Sequence, residues 1–180
     1  MDRPGGKLRE YLACFGILSC NVNPYLPSLS DIGCGWEDVT ALVDMRELFF
    51  CRVWRSRTTY LSREAYYLLK ACRAHRPLIP EAQRLLELLG GGPPLGTDEL
   101  KRLSGLDGKA YAKGFQLLLE DLRATALENG RPLNPSWSTF LYGTAEAWEA
   151  PVEQARERLW APLGRTMPEK ELVRLLRRAV

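Results

Sequence analysis

Apolar residues recur along the chain at spacings that switch between helical and strand-like, and the switches divide it into elements. Leu8, Tyr11, Leu12, Phe15 and Leu18 predict a helix over residues 7–20, running into the turn Asn21-Val22-Asn23-Pro24. Residues 21–36 carry Pro24, Pro27, Gly33 and Gly35 between Tyr25, Leu26, Leu29, Ile32 and Trp36. That is too apolar for a solvated linker and predicts an ordered surface loop. A short helix follows over residues 38–48. Residues 49–54 and 58–61 are aromatic and β-branched and flank Arg55-Ser56-Arg57, which predicts a tight hairpin. Ser62 then caps a helix to about His75, with Ala65, Leu68, Leu69 and Cys72 on its apolar face, and Arg76-Pro77 ends it.

From residue 79 the pattern is more specific. Pro80 suits the first position of a helix over 81–89, stopped by Gly90-Gly91-Gly92-Pro93-Pro94. Thr97, followed by Asp98 and Glu99, opens a second helix over 97–104, which Gly105-Leu106-Asp107-Gly108 breaks. Tyr111, Phe115, Leu118, Leu119 and Leu122 then form one stripe of a third helix over 109–123. Thr125–Glu128, a turn-rich loop over 129–135, and residues 136–142 read as strand, loop and strand. Three helices followed by a hairpin are the order of a winged helix-turn-helix. Residues 152–160 and 168–178 predict two C-terminal helices, the latter with Leu172, Leu175 and Leu176 inward and Arg174, Arg177 and Arg178 outward. The expected fold is therefore α+β, mainly helical, with short β-hairpins. It divides into an N-terminal lobe (1–78), a winged-helix unit (79–147) and a helical extension (148–180).

Composition narrows the class. With 46% hydrophobic and 26% charged residues the chain of 180 is of ordinary globular type. No apolar run reaches the roughly 18–20 residues of a membrane span, and Met1-Asp2-Arg3-Pro4-Gly5-Gly6 lacks the order of a signal peptide, so a cytoplasmic protein is expected. Five scattered cysteines with no Cys-x-x-Cys argue against a disulfide framework or zinc ribbon; His75 and Cys72 share a helical face, but further metal ligands are not evident. No cofactor is expected. The net charge of +3 is uneven: residues 46–76 hold eight basic and two acidic residues, net +6, against −3 for 1–45, −1 for 77–144 and +1 for 145–180.

That +6 segment supplies the first candidate surface, the hairpin carrying Arg52, Arg55 and Arg57. Guanidinium groups match phosphate oxygens, and Trp54 or Tyr60 can stack on an unpaired base. The alternative is a solvated strand pair whose aromatics pack inward. If phosphates are bound, the electrostatic contribution comes mainly from Arg46, Arg52, Arg55, Arg57, Arg63, Lys70, Arg73 and Arg76. Lys109, Lys113 and Gln116 lie on one face of the third helix, as recognition-helix residues do, although Glu120 and Asp121 on the same helix repel phosphate. Arg131, at the tip of the expected wing, can reach a minor groove or a flanking phosphate. Adjacent carboxylates such as Glu120-Asp121 and Asp98-Glu99 point about 100° apart and make neither a catalytic dyad nor a metal pair.

Tyr60-Leu61-Ser62-Arg63-Glu64, Leu100-Lys101-Arg102-Leu103-Ser104-Gly105, Lys113-Gly114-Phe115, Leu141-Tyr142-Gly143-Thr144 and the closing Met167-Pro168-Glu169-Lys170-Glu171-Leu172 resemble winged-helix proteins related to the bacterial crosslink-unhooking DNA glycosylases. The resemblance covers about two-thirds of the chain and implies winged-helix units on a DNA scaffold. It does not carry the catalytic Gln-x-Gln or Gln-x-Asp motif: Gln83, Gln116 and Gln154 are followed two places on by Leu85, Leu118 and Arg156. It thus implies a non-catalytic relative linked to DNA repair, with duplex DNA as partner. The alternatives are a protein-interaction or dimerisation module, with Trp148, Trp160 and the Leu172–Leu176 helix as contacts, and a glycosylase whose catalytic carboxylate has moved.

Overall fold

The element boundaries follow local capping chemistry, and the exceptions follow tertiary contacts. The computed structural model describes residues 3–134, 137–149 and 167–176. Helix α1 (Gly6–Phe15) ends at Gly16 in the left-handed region, and a strand absent from the sequence reading, β1 (Ile17–Ser19), follows at once. The loop after it is ordered, with Leu26 and Leu29 buried. Helix α2 (Trp36–Asp44) is opened by Asp38, whose Oδ2 accepts the Gly35 N–H at 2.9 Å while its Oδ1 accepts that of Gly5.

Strands β2 (Phe49–Trp54) and β3 (Arg57–Leu61) are joined by Arg55 and Ser56 alone, both at positive φ (49° and 57°), the signature of a type I′ hairpin turn. Helix α3 (Arg63–Cys72) is capped by Ser62, whose hydroxyl accepts the Ala65 N–H at 3.1 Å. It stops three residues short of His75. Arg73 is extended (φ −106°, ψ 133°), and the chain turns so that the Arg76 N–H reaches Asp121 Oδ2 at 3.2 Å.

Helix α4 (Pro80–Gly90) takes Pro80 at its first turn. A two-residue strand, β4 (Leu95–Gly96), leads into α5 (Thr97–Ser104), where Gly96 rather than Thr97 holds the cap position. Helix α6 (Gly108–Glu120) is capped by Asp107, which accepts the Ala110 N–H at 2.8 Å. It ends two residues before the periodic stripe does. Leu122 adopts φ 59° where glycine is usual, Arg123 N–H returns to the Leu118 carbonyl, and the Leu122 side chain is buried in compensation. Long strands β5 (Ala124–Asn134) and β6 (Trp137–Thr144), then α7 (Ala145–Trp148) and α8 (Glu169–Leu176), complete the described elements. The expected helix over 152–160 lies outside the described residues.

The fold is α+β with two antiparallel three-stranded sheets, ordered β1-β3-β2 and β4-β6-β5. Phe50 pairs with Tyr60 in the first sheet and Ala126 with Tyr142 in the second. One side chain stitches the sheets together. The fully buried Thr125 hydroxyl accepts the Phe50 N–H at 2.9 Å and donates to the Phe50 carbonyl at 2.8 Å. Helices α4 and α6 cross at Gly114, where a Cβ would lie 2.9 Å from the Glu81 carbonyl carbon, so only glycine permits the approach.

One hydrophobic cluster runs from Leu8, Leu42 and Tyr60 into Leu85, Leu118 and Phe140. A second gathers Phe49, Trp54, Tyr66 and Leu69 with Leu127, Trp148 and Leu175. Both clusters therefore draw on residues before and after position 79.

Candidate nucleic-acid interface

The β2–β3 hairpin docks on α6. Arg52 bonds Gln116 Oε1, Gln116 Nε2 donates to the Ser56 carbonyl at 3.3 Å, and the Ser56 hydroxyl donates to Glu120 Oε1 at 2.8 Å. Gln116 also bonds Glu120, one turn on, at 2.9 Å. The hairpin thereby shares the α6 face that begins with Lys109 and Lys113. These two lysines and Arg57 are exposed, with no hydrogen-bond or ion-pair partner among the described residues. The Lys101 side chain reaches the start of the same helix, its Nζ 3.5 Å from where a Cβ on Gly108 would stand.

The rest of the basic segment is committed within the fold. Arg55 grips Glu171 of α8 with both arms, Nε to Oε2 at 2.9 Å and Nη2 to Oε1 at 2.6 Å, and its guanidinium lies 4.0 Å from the Tyr25 ring centroid. The Trp54 indole N–H joins the same carboxylate at 3.1 Å. The hydrogen bond from Arg55 holds the Glu171 carboxyl below the usual carboxylate range, against the opposing effect of burial. Arg46 bonds the Leu127 and Ala147 carbonyls; Arg63 bonds the Arg46 carbonyl and lies over the Trp148 ring; Lys70 pairs with Glu149 at 2.5 Å. Arg76 pairs with Glu120 at 3.3 Å, and Arg73 is buried. Of the eight cations only Arg57 has no partner among the described residues, so the segment's charge is mostly committed inside the fold rather than forming one open basic surface.

The aromatics follow the inward alternative. Trp54 and Tyr60 are 1% and 0% exposed and cannot stack on a base. Trp148, a candidate partner contact in the sequence reading, is buried against Phe49 and Tyr66. The arginine-rich strands put their apolar residues inside because both faces of this small sheet meet the core. Leu175 and Arg174 lie inward and outward as expected, and Trp160 falls outside the described residues.

The acidic end of α6 is neutralised. Asp121, 4% exposed, accepts from Arg123 Nε at 3.2 Å and lies 3.3 Å from His75 Nδ1 as well as bonding the Arg76 N–H. At the other end of the unit Arg131 is exposed beside Asp98, at 4.0 Å, where the β5–β6 hairpin passes the start of α5. Tyr111, on α6, has its phenol pushed up to about 12 by burial and by nearby Asp98.

Sequence reasoning missed Glu171, Ser56 and Asp121 as partners of these cations. Only the four-residue step from Gln116 to Glu120 carried a signal; Glu171 is 116 positions from Arg55, beyond any local pattern. Among the described residues no group of three His, Cys, Asp or Glu side chains could hold a metal ion, and no helix is long and apolar enough to cross a membrane. In comparison with known proteins, no family model, no curated protein and no solved structure matches the chain.

Proposed function

We propose that the chain is a non-enzymatic winged-helix protein that binds duplex DNA at the joint between the β2–β3 hairpin and α6. The observation that carries the reading is the Arg52–Gln116–Ser56 link, which sets the unpartnered cations Arg57, Lys109 and Lys113 around one joint. The order α4, β4, α5, α6, β5, β6, with β6 between β4 and β5, is what a winged helix requires. In this reading α6 meets the major groove with its N-terminal half, the hairpin rests on the adjoining backbone, and Arg131 on the β5–β6 hairpin reaches a flanking phosphate. Pairing of Glu120 with Arg76 and of Asp121 with Arg123 relieves the repulsion that the acidic end of α6 would otherwise exert.

Fluorescence anisotropy of labelled duplex and single-stranded oligonucleotides at several salt concentrations tests this. The expected result is micromolar or tighter duplex binding that weakens with salt. The triple change Arg57→Glu, Lys109→Glu, Lys113→Glu should lower the logarithmic salt slope by about 0.9 per lost phosphate contact. Binding unaltered by the triple change refutes the surface. No binding at low salt refutes the function and leaves the protein-interaction reading, which sedimentation and partner capture then decide.

A further inference from the structure

We infer that the chain carries a pocket for a phosphate-sized oxyanion between the β2–β3 hairpin, the end of α3 and α8, floored by Arg73. Three arginines from three parts of the fold, Arg55, Arg73 and Arg174, line one small pocket of about 60 Å³ together with Val53 and Leu175. In that measure a water requires about 10–15 Å³, so the space takes several waters or one tetrahedral oxyanion.

Arg73 is the telling member. It is 8% exposed; its Nη1 donates to the Leu175 carbonyl at 3.3 Å, while its Nη2 is buried with no hydrogen-bond partner among the described residues. A buried guanidinium left short of acceptors costs several kcal/mol of desolvation unless something compensates it. The nearby carboxylates are already engaged: Glu171 by Arg55 and Trp54, and Asp121 and Glu120, whose charges reach Arg73, by Arg123 and Arg76. Arg174, its side chain 58% exposed, lies 3.9 Å from the Glu171 carboxylate, beyond hydrogen-bond reach. Three arginines and no carboxylate line the pocket itself, so its wall is cationic although each charge is partly offset from outside it. Guanidinium forks match the oxygens of a phosphate bidentately.

Arg55 and Arg174 also line a wider cleft of about 750 Å³ that includes Tyr25, Lys170 and the carboxylates Glu169 and Glu171. An inner cationic pocket sharing two arginines with an open cleft suits inorganic phosphate or a phosphomonoester: the phosphate enters, and its ester substituent lies in the cleft. A phosphodiester carries chain on both sides and fits the inner pocket poorly.

The probe is inorganic phosphate, added to the full chain against chloride at matched ionic strength, with thermal unfolding as readout. Phosphate at a hundredfold above its Kd should raise Tm by about 5–10 °C over the chloride control. Arg73→Met should abolish the phosphate-dependent shift while leaving Tm in chloride unchanged or higher, since a poorly compensated buried charge is removed. Should that variant not fold, Arg174→Ala, on an exposed side chain, should weaken phosphate binding by about tenfold or more. No phosphate-specific shift, or the same shift in both variants, overturns the proposal.

Competition then separates the sources. Displacement of phosphate by a 5′-phosphorylated but not a 5′-hydroxyl oligonucleotide identifies a nucleic-acid end as the donor. Displacement by neither leaves free phosphate or a small monoester. Equal displacement by both overturns the monoester assignment in favour of the DNA backbone. The proposal is independent of duplex binding, because the Arg57, Lys109 and Lys113 triple variant should keep its phosphate response.

Discussion

Replacing Thr125 by valine removes one oxygen from the centre of the molecule and keeps the shape. That oxygen is fully buried and serves both the N–H and the carbonyl of Phe50, at 2.9 and 2.8 Å, across the gap between the two sheets. In the Thr125→Val protein a buried backbone donor loses its partner and the Phe50 carbonyl loses one, each at about 1–3 kcal/mol. A loss of about 2–4 kcal/mol follows, which for a chain of this size is a fall in Tm of roughly 5–15 °C. Thr125→Ser keeps the hydroxyl and gives up a buried methyl, so it should lose only about 1 kcal/mol. Thermal and urea unfolding of the three proteins, followed by circular dichroism, makes the comparison. A valine variant as stable as the wild type, or a serine variant less stable than the valine one, would refute the idea that this hydroxyl joins the sheets. Because β2 carries the hairpin and β5 follows directly from α6, the proposed duplex binding at that joint predicts that a loosened junction also lowers duplex affinity.

Other outcomes follow from single contacts. Gly114→Ala should destabilise by about 1–2 kcal/mol in urea unfolding, because overpacking at 2.9 Å from the Glu81 backbone outweighs the roughly 1 kcal/mol that alanine gains in helix propensity; a stabilised variant would show that α4 and α6 do not cross so closely. The Glu171 carboxyl titrates below its unfolded value, so its contribution is complete above about pH 4.5 and is lost as the pH falls through the folded value. In an acid titration followed by tryptophan fluorescence, Glu171→Gln should therefore be less stable than wild type at pH 7 and should converge on it toward pH 3; a difference unchanged with pH would rule out an ionised Glu171 as the partner of Arg55. The Tyr111 phenol, pushed up to about 12, should titrate later than an exposed tyrosine in ultraviolet absorbance at high pH, and Tyr111→Phe should remove that late component.

The features readable along the chain are local. Ser62 marks the start of α3, Pro80 that of α4, and the aromatic and β-branched runs around Arg55-Ser56-Arg57 the β2–β3 hairpin, because capping, fixed φ and strand propensity act over a few residues; in the fold Arg57 already belongs to β3. The apolar stripe of α6 and the gathering of positive charge in residues 46–76 were legible for the same reason. The tertiary structure decided where those local features stop and what they touch. Helix α3 ends at Cys72 because His75 and Arg76 turn to Asp121, and α6 ends at Glu120 because Leu122 is pulled into the core. Most consequential is the fate of the arginines. A guanidinium pairs with whatever carboxylate the fold brings within about 3 Å, and for Arg55 that is Glu171, 116 residues away; no periodicity along the chain encodes that distance. Charge count is therefore a property of the sequence, whereas free charge is a property of the fold: Arg57, Lys109 and Lys113 remain open because no partner among the described residues reaches them, and Arg73 is buried because α8 covers it.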